Sequence, residues 1–222
     1  MLTNKRHLDW LIRFIRFKLW WLRARPINDE LLVELSNRIA MRIGTKPFKN
    51  IKESDVQFYN ALVFGMSCRT VVVTSALRSL SIDYIEAVLL HEYAHCKFRH
   101  SIKIAFIAIA LLSIVVGATI YILQFIESII DVVLIITMFI AMYIIIQIIL
   151  RYIARRYELE ADLFAVSHAS NPCSYLKLLM FLSQGEKSKR GVSSELFSAH
   201  PPAITRVETI ITSFPQLVKC LE

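Results

Sequence analysis

The chain has 222 residues, 55% of them hydrophobic, with a mean hydropathy of +0.51 and a formal net charge of +8. This length suits one domain with a substantial core. The apolar excess excludes an ordinary soluble domain and indicates segments that contact lipid.

Residues 1–25 interleave cations with aromatic side chains, including all three tryptophans of the chain. This pattern predicts a basic amphipathic segment that lies on the membrane interface and binds anionic lipid; nucleic acid is not a predicted partner. A third membrane span is the alternative, but the apolar stretch from Leu8 to Leu22 is short and has cations at its middle. Because the cations run through this stretch, no cleavable signal peptide is predicted.

Residues 26–101 contain a predicted helix, a hairpin and a second helix. Asn28 is predicted to cap the first helix, which runs to about Ile43 and ends at the following glycine. Residues 45–54 are interpreted as a linker. Two runs rich in β-branched and aromatic residues, 56–64 and 70–74, then predict a β-hairpin.

The next predicted helix is capped by Ser81, ends near His100 and carries the sequence HEYAH. Residues four apart lie on one helical face, so His91 and His95 can bind the same zinc ion while Glu92 lies beside them as a base. The pattern fixes only three positions, and taken alone an ordinary helix explains it equally well.

The remaining histidines and the cysteines show no metal-binding spacing. We interpret His7, His100 and His168 as surface or interfacial residues. The four cysteines are predicted to be reduced thiols in a cytosolic setting, with Cys96 packed away from the metal face.

Two apolar runs, Ile104 to Phe125 and Val132 to Leu150, are each long enough to cross about 30 Å of hydrocarbon as a helix. A buried soluble helix pair is the alternative, but neither run has a polar face. Residues 102–150 are therefore predicted to form a transmembrane hairpin. Basic residues flank its outer ends and acidic residues occupy its turn, which places both ends and the HEYAH helix in the cytoplasm.

Residues 151–222 are predicted to return to the same side as residues 26–101. An amphipathic helix spans 155–167, another spans 174–183, and Pro201 and Pro202 open a last helix that runs to about Ser213. Each of the two flanking parts is too small to hold a core alone, so we expect them to pack together as one domain.

Carboxylates on the first of these helices offer a third metal ligand, which a catalytic zinc normally needs. Glu158 and Asp162 are four apart and share a face, whereas Glu160 faces elsewhere. Glu158 is therefore a candidate ligand, and Asp162 a candidate acceptor for a ligating histidine. By itself the stretch also fits a salt-bridged juxtamembrane helix.

Four blocks of the sequence together resemble the membrane metallopeptidases typified by the bacterial heat-shock protease HtpX and the eukaryotic CAAX prenyl protease. They are Asn60-Ala61 with Gly65 and the run 71–77, the run 87–95 around HEYAH, the run 158–165 and the run 198–206. The resemblance implies a mainly α fold with a small β-hairpin or sheet, in which a zincin-like metallopeptidase core of residues 26–101 and 151–222 is interrupted by the hairpin.

The resemblance also implies roles for individual residues. One zinc ion would be bound by His91, His95 and Glu158, with Glu92 as general base. His200 and Arg206 would stabilise the oxyanion. An extended substrate would pair with the strand formed by Asn60, Ala61, Leu62 and Val63.

These features predict a zinc metalloendopeptidase of the cell membrane that cleaves membrane or misfolded proteins at the cytoplasmic face. Its expected partners are protein or peptide substrates and membrane lipids, and its oligomeric state is left open. A catalytically inactive, membrane-anchored zinc scaffold or sensor is the alternative. An intramembrane protease is disfavoured because charged residues flank HEYAH.

Overall fold

The computed structural model describes residues 23–221, apart from residues 57, 66, 126 and 188–199. The predicted interface segment falls almost entirely on residues 1–22, which lie outside the described residues. The described residues form a small sheet and seven α-helices, followed by a 3₁₀ segment at Pro215–Cys220.

The sheet has four described strands in the order β1-β2-β4-β3. They are β1 (Arg25–Pro26), β2 (Asn50–Ser54), β3 (Ala61–Phe64) and β4 (Thr70–Thr74). The predicted hairpin is confirmed, since β3 and β4 pair antiparallel. The interpretation of residues 45–54 as a linker is wrong, because Asn50–Ser54 form strand β2. This strand pairs parallel with β4, so β4 lies between β2 and β3 in the sheet. The buried run Val71, Val72 and Val73 fits that position.

The helices are α1 (Glu30–Ile43), α2 (Ser75–Arg78), α3 (Ile82–Lys97), α4 (His100–Ile122), α5 (Ile129–His168), α6 (Pro172–Lys187) and α7 (Ala203–Ser213). The cap of α1 is Asp29 and not Asn28: its carboxylate accepts a hydrogen bond from the backbone N–H of Leu32 at 3.2 Å. Gly44 ends α1 in the left-handed region with φ of 66°, where glycine carries no steric penalty.

Helices α4 and α5 are long and apolar enough to cross a membrane, and almost none of the residues in their apolar stretches is buried. They lie against each other and are joined by a short turn, in which Ser128 and Asp131 form a capping box. Helix α5 has 40 residues and is therefore about 60 Å long. The separate helix predicted over 155–167 is the continuation of this single helix beyond its apolar part.

The core combines side chains from the part of the chain before the two apolar helices with side chains from the part after them. Leu35 and Ile39 of α1, Leu90 of α3, Leu176 of α6 and Ile210 of α7 are all nearly inaccessible to solvent and belong to one cluster. The packing of α3 against α5 in this cluster brings distant parts of the sequence together.

Tyr93, the middle residue of HEYAH, fixes the rotation of α3. Its hydroxyl bonds the side chain of Ser36 at 2.6 Å and accepts from the backbone N–H of Phe48 at 3.1 Å. Its ring stacks on Phe48 with centroids 4.0 Å apart. Because Tyr93 faces the core, His91 and His95 face the opposite way.

The four cysteines form two disulfides, Cys68 with Cys96 and Cys173 with Cys220. The interpretation of these residues as reduced thiols is therefore wrong. Sequence spacing alone did not indicate the pairs, since folding brings together residues 28 and 47 positions apart. The bond between Cys68 and Cys96 ties α3 to the turn after β3.

We expect the Cys173→Ser and Cys220→Ser double variant to unfold more easily than the wild type under oxidising conditions. Closing a loop across 47 residues lowers the entropy of the unfolded chain by an amount worth about 4 kcal/mol. Chemical denaturation of the detergent-solubilised protein measures the difference. With excess reductant the two proteins should unfold alike; a wild type insensitive to reductant would contradict the expectation.

Candidate metal centre

Three potential ligands converge where α3 crosses α5. The Nε2 atoms of His91 and His95 are 3.1 Å apart. The Glu158 carboxylate lies against both, with Oε1 3.3 Å from His95 Nε2 and Oε2 3.5 Å from His91 Nε2. His91 and Glu158 are buried, and His95 is partly buried.

This arrangement fits a tetrahedral divalent ion. Zinc binds histidine nitrogen and carboxylate oxygen at about 2.0–2.2 Å, which separates neighbouring ligand atoms in a tetrahedron by about 3.4 Å. The two histidine nitrogens, 3.1 Å apart, are close to that separation, and one ligand atom from each of the three residues lies within 4.8 Å of the others. Two imidazoles and one carboxylate are also a ligand set that leaves a fourth position for water.

Asp162, the predicted acceptor for a ligating histidine, contacts His91. Its Oδ1 lies 2.9 Å from His91 Nδ1 and accepts a hydrogen bond from the Tyr175 hydroxyl at 2.7 Å. Arg206 forms a bidentate pair with the same carboxylate, with Nε 2.7 Å from Oδ2. Burial opposes ionisation of Asp162, but Arg206 and His91 outweigh it and lower its pKa to about 2. Asp162 is therefore a fixed anion behind the first ligand.

The charges around His91 favour a cation at the ligand position. Burial lowers the pKa of His91, but hydrogen bonds and charges of Asp162 and Glu158 more than reverse this and raise it from 6.5 to about 10. In the metal-free protein a proton occupies the position where a metal would bind. A divalent ion would take the place of that proton between His91 and Glu158.

Glu92 is buried beside the ligands and contacts the edge of the sheet. Its Oε2 accepts a hydrogen bond from the backbone N–H of Val63 at 2.9 Å. Burial raises the pKa of Glu92, although the neighbouring His91 and His95 act in the opposite direction. A carboxylate with a raised pKa is suited to accept and return a proton near neutral pH.

The four residues of the predicted substrate strand, Asn60 to Val63, line a cavity of about 290 Å³ together with the metal ligands and Glu92. Among the described strands, β3 is at the edge of the sheet. Asn60 bonds β4 through its carbonyl, which accepts from Thr74 N–H. Backbone direction alternates along a strand, so Ala61 and Val63 present their polar groups to the cavity.

His200 and Arg206 both line this cavity but bind different carboxylates. His200 Nδ1 is 2.7 Å from Glu158 Oε2, and its side chain is 67% exposed. Arg206 is directed to Asp162 and donates to the Tyr175 hydroxyl at 2.9 Å. Their predicted roles in oxyanion stabilisation stay predictions.

Sequence reasoning missed Tyr175 and His100. Tyr175 is buried on α6 and connects His91, Asp162 and Arg206, but no spacing relates it to HEYAH. His100 was interpreted as a surface or interfacial residue, which is wrong, since only 1% of it is exposed. Its Nε2 lies 3.1 Å from Oε2 of Glu160, a residue that faces away from the metal position as predicted.

A HExxH helix, a carboxylate helix packed against it and a pair of long apolar helices are the features expected of a membrane-bound metallopeptidase. The sequence profile of Peptidase family M48 matches residues 26–213. The chain therefore belongs to peptidase family M48, and the predicted family resemblance is confirmed. No curated protein matches the chain.

Among solved structures, the chain is similar to Ste24p of S. mikatae, with a TM-score of 0.62 and 17% sequence identity. The match covers 91% of this chain and 57% of that chain, so this chain spans a little over half the length of Ste24p. At this level of identity the likeness shows a shared fold. The predicted fold class, mainly α with a small sheet and two apolar helices, is confirmed.

We expect zinc binding to the metal-free protein at pH 7 to release a proton from His91, because its raised pKa keeps it protonated there. The same proton stabilises the metal-free fold below pH 6.5, and this contribution is lost as pH rises toward 10. Calorimetric titration in two buffers of different ionisation enthalpy measures the release. Glu92→Gln, which removes the titratable carboxyl group next to His91 in the sequence, should leave the release unchanged; zinc binding without proton release would contradict the assignment.

Proposed function

We propose that this protein is a zinc metalloendopeptidase of the membrane. The observation that supports this most directly is the convergence of His91, His95 and Glu158 beside a buried Glu92, in a cavity bordered by an edge strand. In this proposal residues 26–101 and 151–222 form one peptidase domain, and residues 102–150 anchor it.

The residues that would hold zinc are His91, His95 and Glu158. Zinc bound there would polarise the scissile carbonyl and lower the pKa of a water molecule. Glu92 then accepts the proton of that water and transfers it to the leaving amine, so no covalent intermediate forms. Asp162 keeps His91 in the tautomer that presents Nε2 to the metal.

Two hydrogen-bond donors, His200 and Arg206, complete the proposed site. The exposed imidazole of His200 is close enough to the metal position, through Glu158, to donate a hydrogen bond to the oxyanion. Arg206 lines the same cavity, and its positive charge stabilises negative charge that develops there. Its bidentate contact with Asp162 also holds that carboxylate in place.

The proposed substrate is an extended segment of a membrane or misfolded protein. Such a segment adds to β3 and exchanges hydrogen bonds with the cavity-facing backbone groups of Ala61 and the carbonyl of Val63, whose N–H already donates to Glu92. Backbone pairing is indifferent to most side chains, while Val88, Leu178 and Leu182 give the cavity an apolar lining. An extended apolar segment next to a membrane can both pair its backbone with β3 and place apolar side chains against this lining.

We propose that the active site faces the cytoplasm. Basic residues cluster at the outer ends of the two apolar helices, and the turn between them carries Glu127 and Asp131. The two disulfides are more typical of an oxidising compartment. The orientation of the apolar helices is set while they insert, when the basic flanks act, whereas disulfides form later in the folded chain. We therefore base the proposed orientation on the distribution of charge.

Replacement of Glu92 by glutamine should lower hydrolysis of an unfolded test protein by about 10²–10⁴-fold, because the general base is lost. Zinc content should stay at one ion, since Glu92 is not a ligand. Purified wild type, E92Q and the surface control Glu208→Gln are compared in detergent. Equal, negligible hydrolysis by wild type and E92Q with zinc retained would contradict the enzyme and favour the inactive scaffold.

Membrane orientation is tested with single cysteines in a variant whose four native cysteines are replaced by serine. Glu127→Cys lies in the turn and Lys219→Cys near the end of the described chain, and both positions are exposed. A membrane-impermeant maleimide applied to intact cells should label only the first. Labelling of only the second would place the active site outside the cytoplasm.

A further inference from the structure

His100 is a buried histidine that contacts a proposed zinc ligand from the side opposite the metal. Its Nδ1 lies 2.9 Å from Nδ1 of His95, and its Nε2 lies 3.1 Å from Oε2 of Glu160. We propose that His100 is a positioning residue that fixes the tautomer and the ring orientation of His95. The inference rests on the proposed zinc site.

The direction of each hydrogen bond follows from Glu160. An ionised carboxylate only accepts, so Nε2 of His100 donates to it. A neutral His100 then accepts at Nδ1, which requires Nδ1 of His95 to donate. The proton of His95 therefore sits on Nδ1, and Nε2 is left with the lone pair that a metal needs.

A break in the backbone makes this contact possible. On a continuous helix, a residue five positions after His95 would point about 140° away from it. Helix α3 ends at Lys97, and Arg99 adopts a left-handed conformation with φ of 56° before α4 begins at His100. A non-glycine residue in this region is uncommon and tends to occur where function requires it.

Aromatic packing holds the His100 ring in the required plane. The ring stacks on Tyr157 with centroids 4.3 Å apart and planes 2° from parallel, and Phe98 packs on it at 5.6 Å. Tyr157 and Glu160 both belong to α5. The second zinc ligand is thus connected to the first residue of α4 and to α5, the two helices that contain the apolar spans.

The two histidine ligands are supported by different groups. His91 donates to the buried anion Asp162, which Arg206 neutralises. His95 donates to the neutral imidazole of His100. The negative charge belongs to Glu160, which contacts His100 and not His95, and whose side chain is 45% exposed. Removal of His100 therefore acts on His95 without leaving an unpaired buried charge.

The test compares zinc affinities of three metal-free proteins by competition with a chelator. His100→Phe keeps an aromatic ring against Tyr157 but cannot accept a hydrogen bond, and we expect about 10–100-fold weaker zinc binding. His100→Asn places an amide oxygen near the position of Nδ1 and should recover most of this loss. A purely structural role for His100 would instead give the better-filling phenylalanine the smaller effect.

The matched control is His168→Phe, the same substitution on α5 at a histidine whose hydrogen bonds, among the described residues, stay within its own helical turn; its zinc affinity should equal that of the wild type. Thermal unfolding of the metal-free proteins checks that each variant folds. If His100→Phe does not fold, Glu160→Ala is the deciding variant. It removes the carboxylate that accepts the hydrogen bond of His100, and Glu160 is about half exposed, so the fold should tolerate the change. We expect this variant to bind zinc measurably more weakly than the wild type.

Wild-type zinc affinity in folded His100→Phe, or in Glu160→Ala where that variant decides, would overturn the inference while leaving the proposed function intact. Failure of the wild type itself to bind zinc would overturn both. Weaker binding in His100→Phe with recovery in His100→Asn supports the inference, whatever rate of hydrolysis the zinc-loaded proteins then show.

Discussion

The carboxylate of Glu158 is buried between two imidazoles, and the rest of the structure depends on holding it there. Glu158 and His91 are 67 positions apart in the sequence, so the contact exists only where α3 packs against α5. A buried carboxylate without a partner is costly, and here His91, His95 and His200 all contact it. The helical hairpin makes this packing possible because it returns the chain to the level of α3.

Stability alone does not account for the polar groups behind the metal position. Asp162, Tyr175 and Arg206 form a buried network, although an apolar cluster of the same volume is often as stable as a buried ion pair. The network gives His91 a fixed tautomer and a fixed orientation. A ligand held in this way needs no rearrangement when a metal binds, which fits retention of the network for function.

The two long apolar helices and the candidate metal centre share residues at their junction. α4 starts at His100, directly after the left-handed Arg99, and α5 carries Glu158 and Glu160 beyond its apolar part. The apolar helices and the candidate site are therefore not separable units joined by a linker. Any tilt of the hairpin relative to α3 would move one ligand and the support of another, so the rigidity of this junction matters for metal geometry.

Several features were predictable because they depend on neighbours in the sequence. The spacing of His91 and His95, the apolar runs, the β-hairpin and the proline-led last helix follow from helical or strand periodicity and turn chemistry, and the structure agrees with each. Local signals also failed where two residues compete, as when Asp29 and not Asn28 caps α1. Strand β2 was missed because its short, partly polar sequence becomes a strand only by pairing with β4.

By itself the sequence determined the chemistry available to this protein: two histidines and a glutamate on one helical turn, carboxylates four apart on another helix, and two runs long enough to span a bilayer. Only the tertiary structure decided which of those groups meet. The disulfide partners, the role of Tyr175 and the burial of His100 against His95 involve contacts across helices or across a backbone break. Periodicity carries no information about such contacts, because it describes the faces of an element and not what packs against them.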